Sequence, residues 1–261
     1  MKNKLYIILI FIFACATKSD FDLSDIQSEL QEKFSKGEEL FKKGKYSRAK
    51  DEFDHILLND RGSDIGVKSR FYQAEALYEL EQFEEAISSY EKVLQFSDDL
   101  MIIENSKFKI CKSYFELSNK HNRDQTKNNI ALDKLQYFID QYPSSYHTIE
   151  AEGYIAILRS RKAEKIYETG RLYLKLKEFD SALIYFNEVL KDYYDTAIAD
   201  ESKISIIFLH LLRDDYDSAE SYYHSKKNKF INDSKKDEAE DLLYNYNKRA
   251  NWFKNFIRLY K

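Results

Sequence analysis

Phe179-Asp180-Ser181-Ala182-Leu183-Ile184-Tyr185-Phe186 holds an alanine between two rings, three residues after the first and four before the second. The same spacing recurs as Tyr46-x-x-Ala49-x-x-x-Phe53, Phe83-x-x-Ala86-x-x-x-Tyr90 and Tyr216-x-x-Ala219-x-x-x-Tyr223. The steps from Ala49 to Ala86 and from Ala182 to Ala219 are both 37 residues. A period in the thirties with a small residue at a fixed offset marks stacked helical hairpins, because one such hairpin cannot bury its apolar face alone. The spacing therefore predicts an all-α solenoid of about five hairpins, closed by a C-terminal capping helix.

Working outward, each signature has a partner helix ahead of it. The stripes Leu30-Phe34-Gly37-Phe41, Val67-Phe71-Ala74-Tyr78, Phe108-Cys111-Phe115 and Ala163-Tyr167-Gly170-Leu174 advance by three or four residues, which places each on one helix face. Every stripe carries a small residue (Gly37, Ala74, Cys111, Gly170) where a neighbouring helix comes close. That register makes Cys111 a buried packing residue rather than a redox group. The third unit is irregular. Its alanine, Ala131, falls eight residues late, and the polar stretch Ser118 to Ile130 is expected to loop outward ahead of a second helix from Ala131 to Gln141. Pro143, the single proline, stops that helix. Ile149 to Leu176 reads as one unusually long helix, with a basic group at Arg159, Arg161, Lys162 and Lys165.

Composition agrees with helices. Six Gly and one Pro in 261 residues leave too few breakers for a sheet protein, and an aromatic share of 15% argues against disorder. A formal charge of -4 offers no basic stripe for nucleic acid. The five histidines show no metal-ligand spacing, and no phosphate loop or nucleophile elbow occurs, so no enzyme, cofactor or metal is expected.

The N-terminus carries an address. Lys2 and Lys4 precede an uninterrupted apolar run from Leu5 to Phe13, too short to span a membrane and suited to a secretory signal. The run ends at Ala14-Cys15, so residues 1–14 are expected to be a signal peptide and Cys15 the lipidated mature N-terminus. Each buried methylene of an acyl chain contributes about 0.8 kcal/mol, so two or three chains anchor almost permanently. Residues 15–28 read as a flexible polar tether, 29–231 as the repeat domain, and 232–261 as the capping helix. From Lys226 to Lys261 ten Lys/Arg face five Asp/Glu. Lys248 and Arg249 make that helix either a plain cap or a basic docking face for an acidic partner or lipid headgroups.

The unit resembles the tetratricopeptide repeat. More specifically, Asp124-Gln125-Thr126, Ala131 through Ile139, Tyr142-Pro143-Ser144-Ser145, Leu158-x-x-x-x-Ala163-x-x-x-x-Tyr167 and Val189-Leu190-Lys191-Asp192-Tyr193 resemble BamD-family lipoproteins, particularly Bacteroidota-type members. Tyr194 stands where that family usually has proline. The resemblance covers nearly all of the chain after Cys15. It implies a non-enzymatic scaffold of the outer-membrane β-barrel assembly machinery, lipid-anchored at the periplasmic face. Its implied partners are a BamA-like barrel protein, unfolded outer-membrane proteins and, through acylated Cys15, the outer-membrane lipid. The alternative is a repeat lipoprotein serving another envelope or export complex.

In tetratricopeptide grooves, positions five, nine, twelve and thirteen of the first helix line the concave side. Here they yield the peptide-binding candidates Phe34, Glu38 and Phe41; Phe71, Glu75 and Tyr78; Phe108, Lys112 and Phe115. The same aromatics belong to the apolar stripes, so they are either groove or inter-repeat core. Arg159, Arg161, Lys248 and Arg249 are the candidates for partner docking.

Overall fold

The computed structural model describes residues 23–120 and 125–248. Among them are eleven α-helices and one 3-10 turn, with no strand. The chain divides into two compact units, residues 1–113 and 114–261. The first unit holds α1 (Leu23–Lys42), α2 (Tyr46–Asn59), α3 (Asp64–Glu79), α4 (Phe83–Phe96) and the beginning of α5 (Leu100–Lys120), within which the division falls. The second holds α6 (Gln125–Gln141), α7 (Thr148–Lys175), α8 (Phe179–Asp192), α9 (Ile198–Leu212), α10 (Tyr216–Lys226) and α11 (Asp233–Asn247). Within each unit successive helices pack as antiparallel hairpins that stack on one another, which is the tetratricopeptide-repeat arrangement.

The ring–alanine–ring signature opens α2, α4, α8 and α10, the second helices of four hairpins. Ala49, Ala86, Ala182 and Ala219 have no exposed surface, and neither do the second rings Phe53, Tyr90 and Phe186; Tyr223 is 4% exposed. In two hairpins the second ring lies against a glycine of the preceding helix. A Cβ added to Gly37 would stand 2.6 Å from the Phe53 ring, and one added to Gly170 would stand 2.7 Å from the Phe186 ring. Each buried ring contributes about 1.5–3 kcal/mol. Tyr90 also carries a hydroxyl, which donates to the Glu75 carboxylate.

The turns inside the hairpins repeat as faithfully as the signature. Gly44, Glu81, Lys177 and Asp214 all take positive φ, between 58° and 70°, two residues before the first ring. In every case the left-handed residue donates its N–H three residues back, and the next residue donates five residues back: Gly44 to Phe41, Lys45 to Leu40, and so on at 2.9–3.1 Å. This is the Schellman closure, which satisfies the last carbonyls of the first helix. Only the first hairpin uses glycine. The others accept the cost of a side chain in the left-handed region, roughly 1–2 kcal/mol.

Three boundaries differ from the expectations. Helix α1 begins at Leu23, inside the stretch 15–28 read as tether; Ile26, one turn before Leu30, packs against the cluster of Leu30, Phe34 and Phe53. The stretch Ser118–Ile130 does not loop out as a whole. α5 runs to Lys120 and α6 starts at Gln125, six residues ahead of Ala131. Ser118 and Asn128 are buried, the first donating its hydroxyl to the Phe115 carbonyl at 2.6 Å, the second its amide to the Leu158 carbonyl at 3.4 Å. Polar residues thus lie inside helices because their side chains find backbone acceptors. The last helix among the described residues, α11, ends at Asn247, and residues 249–261, Arg249 among them, lie outside the described residues. So do residues 1–22, with Cys15 and the signal segment. The other boundaries hold: α6 stops at Gln141 ahead of Pro143, α7 is a single helix of 28 residues, and Cys111 is buried.

α11 is fixed by a buried charge. Asp200, 1% exposed at the start of α9, accepts the Ile231 and Asn232 N–H groups, with shortest contacts of 2.9 Å, and pairs with Lys203 at 2.7 Å. Lys203, 4% exposed, also lies over the Phe230 ring. The segment leading into α11 is thereby tied to α9.

Two glycines on α7 test this packing. Gly170→Ala gains about 1 kcal/mol of helix propensity but loses about 1–3 kcal/mol to overpacking against Phe186, so thermal denaturation is expected to show a net loss. Gly153→Ala, where nothing lies within 4 Å, gains the propensity alone and raises stability. Asp200→Ala leaves Lys203 buried and unpaired, with an expected loss of about 3–5 kcal/mol in urea unfolding.

Candidate functional site

The first helices of the second unit, α7, α9 and α11, lie side by side and enclose an open groove of about 520 Å³. Tyr167, Arg171, Leu174 and Lys175 come from α7; Glu201, Ile204, Ser205 and Phe208 from α9; Glu238 and Leu242 from α11. Leu174 and Ile204 are buried, and Tyr167, Phe208 and Leu242 are half-buried, so the floor is apolar. Tyr167 is pinned across the floor by its hydroxyl, 3.1 Å from the Ser205 Oγ. Burial, foremost, raises the Tyr167 pKa and keeps the phenol neutral.

The walls carry charge. On the α9–α11 side, Lys235 bridges Glu201 at 2.7 Å and Glu238 at 2.8 Å. Its hydrogen bond to Glu201, then that to Glu238, raise its pKa. On the α7 side Arg171 and Lys175 are exposed; Arg171 pairs with Glu168 at 2.7 Å. The groove thus combines an apolar floor, a wall where one lysine bridges two carboxylates, and a rim that carries Arg171 and Lys175. Such a surface can hold an extended peptide by its side chains while the rim attracts carboxylates.

The nine peptide-binding candidates occupy a tighter setting. Phe34, Phe108 and Phe115 are buried, at 8%, 1% and 5% exposure, and are packing residues in this structure. Phe34 lies 5.8 Å from the Phe53 ring centroid, while Phe115 is covered by the Tyr154 ring at 4.3 Å and the Arg161 guanidinium at 5.2 Å. Phe41, Phe71 and Tyr78 are half-buried. Phe41 and Tyr78 each pack edge-on against the first ring of their own signature, Tyr46 at 5.2 Å and Phe83 at 5.3 Å. Glu38 hydrogen-bonds Tyr72, whose pKa is raised by burial first and by this bond second. Glu75 accepts from Tyr90 and from Lys109, the latter at 2.6 Å, and so stitches three helices together. Lys112 lies over the Tyr78 ring at 5.9 Å. Glu75, Tyr78 and Lys112 are brought together, half-exposed, on the first helices of the first unit.

Of the docking candidates, Arg159 and Arg161 are engaged within the second unit. Arg159 makes a two-pronged pair with Asp195, at 2.7 and 3.2 Å, donates to the Asp192 carbonyl and covers the Tyr193 ring. It clamps α7 to the α8–α9 turn, and Arg159 in return holds the Asp195 carboxyl below its ordinary range. Arg161 lies on Phe115 and reaches Ser118 at 3.4 Å. Lys248 is exposed beside the Tyr244 ring at 5.7 Å.

The groove residues of the second unit are absent from the candidates drawn from the sequence, yet the signal was present. Counting from Gly170 as position eight, positions five, nine, twelve and thirteen are Tyr167, Arg171, Leu174 and Lys175, all four of which line the groove. The same register, carried one hairpin further than the third, finds the site.

A family model for outer membrane lipoproteins, YfiO, matches residues 27–222. The outer membrane protein assembly factor BamD of Rickettsia prowazekii (strain Madrid E) is 24% identical over 220 residues, covering 84% of this chain and 87% of that protein. The BamD of Caulobacter vibrioides is 23% identical over 178 residues, covering 68% of this chain and 58% of that protein. Among solved structures, a thermophilic tetratricopeptide-repeat protein of Thermus thermophilus is 16% identical, with a TM-score of 0.36 over 83% of this chain and 98% of its own. The family match runs from α1 into α10, and with it the chain belongs to the YfiO family of outer membrane lipoproteins, to which it is joined by its BamD relatives.

Proposed function

We propose that this protein is a lipid-anchored, non-enzymatic scaffold subunit of the outer-membrane β-barrel assembly machinery, working at the periplasmic face. The observation that carries the reading is the family match across 27–222 together with two relatives that are assembly factors. Cys15 bears the lipid and tethers the repeats to the outer membrane. The repeats bind the periplasmic domains of a BamA-like barrel protein, with Lys248 and Arg249 contributing to that docking face. Arg159 and Arg161 shape the second unit from within and serve docking indirectly.

Unfolded outer-membrane proteins are held in the groove of α7, α9 and α11. Its course across three helices suits an extended strand, and its mixture of apolar floor and charged walls suits alternating side chains. The half-exposed Glu38, Phe41, Phe71, Glu75, Tyr78 and Lys112 of the first unit offer a second, shallower contact to the same clients. Phe34, Phe108 and Phe115 support these contacts from beneath.

Affinity purification of the tagged chain from its native envelope is expected to recover a BamA-like barrel protein, and Cys15→Ala is expected to leave the membrane fraction once partners are stripped by salt. Recovery of a different envelope complex, without the barrel protein, contradicts the assignment. For the groove, Phe208→Glu is expected to weaken binding of an unfolded outer-membrane protein at least tenfold in fluorescence anisotropy, about 1.4 kcal/mol. The exposed Ile184→Glu, away from the groove, is expected to leave binding unchanged.

A further inference from the structure

One charged side chain in the first unit is out of keeping with everything around it. Arg70, on α3, is 8% exposed, and its Nε is buried with no hydrogen-bond acceptor. Among the described residues no carboxylate pairs with it. Its guanidinium lies over the Phe96 ring, 5.7 Å from the centroid, and this is its one specific contact. Burial, and then the charge of Arg61, push its pKa down, so a second cation stands near the first. Arg61 itself is anchored by a hydrogen bond from its Nε to the Leu57 carbonyl at 3.2 Å. A buried guanidinium Nε without an acceptor is costly, and here a like charge adds to the cost. Packing does not explain its presence, since a methionine would fill the same space.

The surroundings indicate what it awaits. α2 and α4 run in the same direction, each antiparallel to α3, so the α2–α3 and α4–α5 connections lie at one edge of the unit. At this edge Leu58 and Phe96 lie in the last turns of α2 and α4, and Leu100 and Met101 begin α5; they are 73%, 50%, 79% and 71% exposed. An arginine stacked on a ring, with exposed apolar side chains at the same edge of the unit, has the composition of a protein-interface hot spot. A planar guanidinium with unused donors matches a carboxylate in two-pronged fashion.

We infer that Arg70, Arg61 and Phe96, with the exposed Leu58, Leu100 and Met101 at the same edge of the unit, form a docking socket for a protein partner that inserts an acidic side chain flanked by apolar residues. The socket is separate from the groove of the second unit, and it stands or falls independently of the identity proposed above.

The test is photo-crosslinking in the native envelope, with benzoylphenylalanine in place of Leu100 in the full chain and the crosslinked peptides mapped by mass spectrometry. The expected product joins Leu100 to one polypeptide, at a segment bearing Asp or Glu beside apolar residues. Arg70→Met is expected to abolish the product while raising the Tm of the purified chain by a few degrees, because a buried unpaired charge is gone. Arg70→Glu combined with an arginine at the mapped acidic position is expected to restore it. Crosslinks to lipid or to the chain's own residues would overturn the inference. So would the absence of any product, an undiminished product in Arg70→Met, or a failed charge exchange. A fall in Tm for Arg70→Met would instead make Arg70 a structural residue, and would overturn the inference equally.

Discussion

Everything in this chain hangs on an aromatic ring pressed against a helix backbone. Phe53 occupies the space a Cβ of Gly37 would need, and Phe186 does the same at Gly170. The contact sets how closely the two helices of a hairpin approach, and the fully buried alanine one turn earlier in the second helix keeps that approach clear. Close-packed rings leave little room for the helices of a hairpin to shift. In the second unit the first helices lie side by side, and the groove of α7, α9 and α11 is the space left between them.

The polar network refines what the rings establish. Glu75 gathers Tyr90 and Lys109 from neighbouring helices, and Gln73 joins Asp54 to Ser89 across three helices in the same unit. In the second unit Asp200 holds the loop that aims α11, and the Arg159–Asp195 pair ties α7 to the next turn. These bonds direct helices that apolar burial alone would leave free to slide. They also engage Arg159, which its charge alone would assign to a docking face.

Much of this was legible beforehand, for a physical reason. A small residue every 37 positions has no cause other than repeated close approach, so the hairpins and the burial of Cys111 could be read directly. The left-handed turns of the later hairpins could not, because Glu81, Lys177 and Asp214 carry no glycine to announce them. Nor could the helical course of Ser118–Ile130, whose polarity mimics a loop until Asn128 is seen donating to Leu158. Arg159 and Asp195 lie 36 residues apart, and nothing local in either segment marks the pair. For the groove of the second unit, the register of the first helices coincides with its α7 lining. In the first unit, though, the rings at position twelve, Phe41 and Tyr78, close over the rings that follow them, Tyr46 and Phe83. The second unit has Leu174 at that position, a smaller side chain on the groove floor.

The central claim is that the first helices of the second unit form the client-holding surface. Hydrogen–deuterium exchange on the full chain, with and without a urea-unfolded outer-membrane protein diluted into it, addresses that claim directly. The account predicts slowed exchange confined mainly to residues 167–175, 201–208 and 238–242, with α8 and α10 behind them unchanged. Unaltered exchange in all three segments, with protection confined to other helices, would contradict it.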